Sequence, residues 1–178
     1  MKKYITGLLF LGSLMLFVTG VRAATTADLQ ITVTPNGTKS LTLSTGTLAL
    51  GPLSLASVNN VSSSVTVTND GDVPSILGLR VKTDDGIWSS SDTVGTNRYV
   101  LRALFNSSLP DSTDFQANDN VLTGSVVPST GLGAVYSGNE NGSVFNPADT
   151  RGLWFNMRMP TASTTAAERS FTVEVSAN

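Results

Sequence analysis

The sequence predicts an all-β protein, an antiparallel two-sheet sandwich or jelly roll with about eight to ten short strands. Apolar and polar residues alternate with a period of two through most of the chain after residue 28. No window of about 11 or more residues carries the apolar spacing of an amphipathic helix. Runs of Gly, Asn, Asp and Pro separate the alternating segments at roughly 8–12-residue spacing, which favours short paired strands over a parallel α/β sheet.

The chain begins with the three parts of a secretory signal peptide, over residues 1–23. Two lysines precede an apolar run at residues 5–18, and the small residues Val21 and Ala23 fit a cleavage site. The run is shorter than the ~20 apolar residues that span a membrane. We therefore expect cleavage after Ala23, with cleavage after Ala24 as the alternative. We also expect no stable membrane anchor, and a secreted protein at the cell surface or in an extracellular matrix.

The composition narrows the classes of function. Removing the predicted signal peptide lowers the basic residues from 11 to 8 against 13 acidic ones, a net charge of −5, so nucleic-acid binding is not expected. The sequence contains no His and no Cys, which excludes imidazole general bases, thiolate zinc sites and disulfides. We expect a structural or binding protein rather than an enzyme, and no resident cofactor.

The first alternating segment after the predicted cleavage site, residues 24–35, is a candidate for a strand exchanged between subunits. Its apolar positions are Ala27, Leu29, Ile31 and Val33, and Pro35 ends the ladder. Such a row can complete a sheet in its own subunit or in the next one. In either place, burial of the last three side chains would contribute on the order of 5–8 kcal/mol.

The remaining residues, 36–178, are expected to form the sandwich. Short alternating pieces follow one another over residues 41–55, and the run Asn69-Asp70-Gly71-Asp72 between two later alternating segments indicates a hairpin-like turn. Residues 107–152 indicate no clear strand order. The strand phases place the following side chains in a shared core: Leu79, Val81, Leu101, Phe105, Phe155, Met157, Phe171 and Val173.

Exposed aromatic side chains would indicate a different function. Trp88, Trp154 and Tyr136 could stack on sugar rings. Trp154 is opposite in phase to Phe155 and Met157, so we expect it outside the main core, available to a sugar or a neighbouring subunit. The alternative hypothesis is a secreted carbohydrate-binding or adhesin module that acts as a monomer, with a polysaccharide as its partner.

Two weaker patterns concern ions and modification. Pairs of aspartates could offer oxygen ligands to calcium, although turn capping explains the same residues. These pairs are Asp70 with Asp72, Asp84 with Asp85, and Asp114 with Asp119. Four asparagines begin glycosylation acceptor sequences, which matter only in a host that glycosylates: Asn36, Asn60, Asn106 and Asn141.

Residues 46–81 carry a resemblance to a known family. The run Gly46-Thr47-Leu48-Ala49-Leu50-Gly51-Pro52, then residues 64–74 ending Asn-Asp-Gly-Asp-Val-Pro, then Leu77-Gly78-Leu79-Arg80-Val81, resembles the TasA and camelysin group of biofilm-matrix proteins. The resemblance implies a jelly-roll subunit that polymerises into an extracellular fibre by donating its N-terminal strand to a neighbour. With no catalytic residues in view, the leading hypothesis is a homopolymeric fibre subunit.

Overall fold

The computed structural model describes residues 30–34, 36–61, 63–129, 135, 136, 138–140 and 142–178. The chain divides into two units, Met1–Pro35 and Asn36–Asn178. All strands of the described residues lie in the second unit. In chain order they are β1 Leu41–Leu43, β2 Val58–Asn60, β3 Val65–Asn69, β4 Leu77–Thr83, β5 Ser89–Ser90, β6 Arg98–Phe105, β7 Val127–Pro128, β8 Thr150–Arg158 and β9 Thr172–Ala177.

The larger sheet has the strand order β1-β3-β8-β6-β5, and β2 also pairs with β8. The long strand β8 lies at its centre, antiparallel to β3 on one side and to β6 on the other. β2 and β3 both lie along the β3 side of β8, where Val58 is opposite Arg158 and Val65 is opposite Leu153. The register of the pairing with β8 differs by two residues between β2 and β3.

The smaller sheet has the order β7-β4-β9. β4 lies in the middle, antiparallel to both neighbours, and its pairing with β9 runs from Leu77 opposite Ala177 to Thr83 opposite Thr172. A bulge between Val81 and Thr83 interrupts this ladder.

One hydrophobic core fills the space between the two sheets. It combines buried side chains from both, such as Leu79 and Val81 of β4 with Leu101 and Phe105 of β6. Phe155 and Met157 of β8 are buried in the same core, while Phe171 and Val173 are half-buried against it. The predicted fold class and the predicted inward strand phases are therefore confirmed.

The predicted hairpin at residues 69–72 is wrong. β3 belongs to the larger sheet and β4 to the smaller one, so the connection crosses between sheets. The buried Asn69 amide donates to the carbonyl oxygens of Val73 and Phe145, and its Oδ1 accepts from the Gly71 N–H. These bonds fold the segment into an Asx turn that leads the chain away from β3.

Two other strand predictions differ from the structure. Residues 30–34 belong to no strand, since nothing in the described residues pairs with them. Residues 45–55 form no strand either. Leu48, Leu50 and Leu53 instead pack half-buried against the core as side chains of a long connection from β1 to β2.

Candidate functional site

The candidate donor segment carries two large apolar side chains in solvent. Ile31 is 76% exposed and Val33 is 78% exposed. The other two predicted donor residues, Ala27 and Leu29, lie outside the described residues. Scattered exposed apolar residues are common on proteins, but two in alternation within one strand-like segment form an exposed apolar row.

The two sheets of the sandwich end in four terminal strands, and these edges differ. β2, which pairs only with β8 among the described residues, has a further open edge of three residues. β5 and β7 are only two residues long, and β7 contains Pro128, which has no N–H to offer. Short edges and prolines are common ways in which proteins prevent edge-to-edge association. β1 has three residues and β9 has six. Among the described residues, β1 pairs only with β3 and β9 only with β4.

The register of β9 determines which of its backbone groups reach the open edge. Ile76 and Asn178 exchange both of their backbone hydrogen bonds, at 2.8 and 3.0 Å. In an antiparallel ladder such hydrogen-bonded pairs alternate with pairs whose N–H and C=O groups are directed away from each other. The pairs without mutual hydrogen bonds are those of Val173, Val175 and Ala177. The backbone groups of these three residues are therefore directed away from β4.

The hydrogen bonds of β1 show in the same way which of its residues direct backbone groups to the open edge, and there are fewer of them than in β9. The Ser44 N–H donates to the Thr66 carbonyl at 2.9 Å, which makes Thr42 and Thr68 a hydrogen-bonded pair. Leu41 and Leu43 therefore have the outward backbone groups. Leu43 is 37% exposed, although it shares the inward phase of Leu41, because no strand of the described residues continues the sheet beyond it.

The two sides of the sandwich are finished differently. On one side, residues 120–123 tie the sheets together, because Asn120 bridges Arg102 of β6 and Thr123 bridges Val81 of β4. Hydrogen bonds from the Val121 N–H to Leu101 and from the Val81 N–H to Leu122 reinforce this closed side. β1 and β9 are the edges on the other side, which we call the open side.

The three aromatic residues proposed as exposed contacts are all buried, so that prediction is wrong. Trp88 donates through its indole N–H to Ser163 Oγ at 3.0 Å. Tyr136 lies in the main core. Trp154 is outside the main core, as its phase predicted, but packs with Leu104 and Phe115 in a second cluster.

The loop that covers Trp154 also explains why sequence reasoning missed its burial. Its indole N–H donates to the Asn106 carbonyl at 2.8 Å, and Phe115 comes from a segment with no strand of its own. Strand alternation shows which face of β8 carries Trp154, but it does not show that a distant loop folds over that face.

The outer face of β4 and β9 is charged. Glu174 Oε2 lies 3.0 Å from Arg80 Nη2 and 3.3 Å from Lys82 Nζ. The Arg80 hydrogen bond, assisted by Lys82, lowers the pKa of the Glu174 carboxyl below its ordinary value. Because alternate β9 residues face opposite ways, Val173 and Val175 face the core while Glu174 lies on the solvent side.

The aspartates considered as calcium ligands bond to groups of the protein. Asp72 accepts from the Thr38 N–H, and Asp70 accepts from the Thr42 hydroxyl. Asp84 accepts the Tyr99 hydroxyl proton at 2.6 Å. Asp119 accepts from two backbone N–H groups, those of Gln116 and Tyr136. In the described residues no three acidic side chains form a group that could hold a metal ion.

A polar depression of about 470 Å³ lies beside the second cluster, lined by Asn106, Thr113, Asp114, Gln116, Gly138 and Asn139. Its amide groups are bonded to nearby protein groups. Asn106 donates to the Ser108 carbonyl and accepts from the Asn139 N–H, and Gln116 donates to the Thr113 carbonyl. These bonds stabilise the loops.

The glycosylation acceptor sequences have different environments. Asn36 is exposed, whereas the Asn106 side chain is buried and hydrogen-bonded within the protein. Asn141 lies outside the described residues, as does the side chain of Asn60. Of the two described side chains, only Asn36 is accessible to a modifying enzyme.

Together the fold and the edges define an all-β sandwich with one closed side and one open side. No family model matches the chain, and no curated protein is similar to it. In the described residues, no helix is long and apolar enough to cross a membrane.

Proposed function

We propose that the protein is the structural subunit of an extracellular filament, a homopolymer in which residues 24–35 of each subunit pair as a strand with the sandwich of a neighbour. The observation that carries the proposal is the exposure of Ile31 and Val33 in an alternating segment whose described residues, 30–34, belong to no strand. An apolar row with strand-like alternation gains free energy when a sheet covers it.

Covering the apolar row contributes favourably to the association of subunits. Burying Ile31 and Val33 contributes roughly 1.5–3 kcal/mol for each side chain, and the ladder hydrogen bonds add to this and set the register. Leu29 shares their phase in the sequence. Because a donor segment and a receiving sheet are different surfaces of one chain, the contact is heterologous. It stays open-ended when each subunit donates its strand onward rather than back to the subunit that donates to it. Repetition of the contact builds a filament.

The sandwich has the feature that such an assembly requires. β1 and β9 pair on one side only among the described residues, so an incoming strand can join without displacing an existing one. The alternative hypothesis, a monomeric carbohydrate-binding module, requires exposed aromatic side chains. It is not supported, because Trp88, Trp154 and Tyr136 are buried.

A matched pair of charge variants tests the proposal. Ile31→Asp places a carboxylate in the apolar row, and Thr32→Asp places the same charge one residue along, on the opposite phase. In the chain beginning at Ala24, the first variant should abolish filaments seen by negative-stain microscopy, since an unpaired carboxylate is costly to bury. The second should leave filaments present.

The opposite results would refute the proposal. A wild-type chain that stays monomeric at high concentration in sedimentation velocity does not build a filament. Filaments that survive Ile31→Asp as well as they survive Thr32→Asp do not use this apolar row.

A further inference from the structure

We infer that the outer edge of β9 is the surface that receives residues 29–33 of a second copy of the chain. This inference rests on the proposed function and specifies which of the sheet edges completes the contact. It is carried by the lengths of the four edges, by the direction of the β9 backbone groups, and by the side chains on the inner face of β9.

Edge length excludes two of the four strands. β5 and β7 offer two residues each, and Pro128 removes one of the two N–H donors of β7. A donor row that spans five residues from Leu29 to Val33 needs a longer partner than either strand. Of the four terminal strands, β1 and β9 remain, on the open side. The open edge of β2 has three residues, no more than that of β1 and half the length of β9.

β9 is the better partner of these two because of its backbone. Val173, Val175 and Ala177 direct their N–H and C=O groups away from β4, as the mutual bonds of Ile76 and Asn178 require. Three outward residues match a donor row in which Leu29, Ile31 and Val33 alternate with polar residues. β1 offers outward groups at only two described residues, Leu41 and Leu43.

β9 also lacks the sequence features that usually prevent an edge strand from pairing with another chain. It contains no proline, and its one charged residue, Glu174, lies on the outer face in ion pairs with Arg80 and Lys82. No charge is therefore left on the inward face of the strand. A long edge without proline or inward charge is an effective template for another strand.

The inner face of β9 continues the apolar surface that a donor row would extend. Val173 and Val175 are half-buried and pack against the core. A strand added beyond β9 would place the donor side chains on that same inward face, because directly paired residues share a face of the sheet. The smaller sheet would then grow towards β1, over the region where Leu43 is 37% exposed.

Engineered cysteines can report this pairing directly, since the chain has none of its own. Neighbouring strand residues have Cα atoms about 4.5–5.5 Å apart, within the range that a disulfide bridges. We would combine Ile31→Cys with a cysteine at Val173, Val175 or Ala177, and separately with one at Leu41 or Leu43. Each single-cysteine chain serves as a control.

The expected result is a ladder of covalent dimers, trimers and longer chains on non-reducing gels, from assembled protein carrying a β9 cysteine and from neither β1 pair. A ladder from a β1 pair only would overturn the β9 assignment but leave the proposed function standing. Filaments with no ladder from any pair would do the same. Failure of the wild-type chain to assemble would refute the proposed function itself.

Proline variants provide a second test that does not depend on disulfide geometry. Val175→Pro removes an N–H directed away from β4, so it leaves the β4 ladder intact, and Leu43→Pro does the same at the β1 edge. Val175→Pro should raise the concentration at which filaments appear by roughly fivefold or more, the equivalent of one net hydrogen bond. Leu43→Pro should leave it unchanged. A larger effect from Leu43→Pro would overturn the assignment.

Discussion

The closed and open sides of the sandwich are built on the same core but end differently. On the closed side, residues 120–128 bridge from β6 to β4 and end in the short, proline-containing strand β7. On the open side, β1 and β9 end with no described strand beyond them. The chain therefore covers the sheet edges on the closed side with its own residues. On the open side, the edges of β1 and β9 can accept a further strand.

Buried polar bonds hold the closed side in place. Arg102 donates to the Phe115 carbonyl at 2.8 Å and to Asn120 Oδ1 at 3.0 Å. The buried Asp119 carboxylate accepts the N–H groups of Gln116 and Tyr136, at 2.7 and 2.8 Å. Each of these bonds ties a loop to its neighbour, so the closed side is specified by polar contacts as well as by apolar packing.

The largest expected effect comes from the core next to the closed side. Phe105 is fully buried in β6, so Phe105→Ala should lower the free energy of unfolding by about 3–5 kcal/mol through lost burial and a residual cavity. Urea unfolding in an Ile31→Asp background measures this without a contribution from assembly. A loss below about 1 kcal/mol would show that the site collapses around the truncated side chain.

The polar anchor of the closed side should have the next largest effect. Asp119→Ala removes the acceptor of two N–H groups, at about 1–3 kcal/mol for the buried one of Tyr136 and less for that of the exposed Gln116. Asp119→Asn is the matched variant, since it keeps one acceptor oxygen and should cost less. Equal losses in the two variants would show that the oxygen kept by Asp119→Asn does not serve as an acceptor for these N–H groups.

The pH dependence of the Asp119 contribution has a definite sign. Burial raises the pKa of this carboxyl above its ordinary value, despite the hydrogen bonds from Gln116 and Tyr136. A raised folded pKa means that ionising Asp119 costs more in the folded state than in the unfolded chain. Its contribution therefore becomes less favourable as pH rises through the interval between the two pKa values. Unfolding of wild type and Asp119→Asn across that interval should show this difference in slope.

Truncations on the open side should cost much less in a single subunit. Leu43 is 37% exposed, whereas Leu101 is buried at 2% exposure. Leu101→Ala should cost about 2–5 kcal/mol, and Leu43→Ala about 1 kcal/mol or less because little area is withdrawn from the interior. If assembly covers the open side, the cost of Leu43→Ala should be larger in filaments than in the unassembled subunit. Equal costs would argue that the region stays open.

The smallest expected effect is at Asp85, near the start of β5. Burial alone would raise its pKa, but the N–H groups of Trp88 and Ile87 and the ion pair with Arg169 lower it overall. A lowered folded pKa contributes stability above the ordinary value that is lost as pH falls through the folded value. In urea titrations at a series of acidic pH values, the free energy of unfolding of Asp85→Asn should therefore fall less steeply with decreasing pH than that of the wild type. An equally steep fall in both proteins would contradict this.

Local alternation predicted the inward faces of the strands well. Leu101, Phe105 and Phe155 lie in the main core, where their phase places them, because alternate residues of a strand share one face. The partners of the strands depend on residues far away in the chain. Asn69 illustrates this, since a bond to Phe145, 76 residues later, helps to turn a hairpin-like sequence into a sheet-to-sheet crossing.

The candidate site was predictable in part for the same reason. Alternation identified Ile31 and Val33, but only the structure shows that they are exposed and outside any strand. The open edge of β9 has no local signature. It follows from β4 being paired on one side with β7 and on the other with β9, and from the hydrogen bonds between Ile76 and Asn178.

Amide hydrogen exchange across β9 tests the central claim most directly. The comparison is between filaments of the wild-type chain and the unassembled Ile31→Asp subunit. The account predicts that the outward amides of Val173, Val175 and Ala177 become protected in filaments, while those of Glu174 and Ser176, directed towards β4, are protected in both. Outward amides that exchange as fast in filaments as in the single subunit would contradict it.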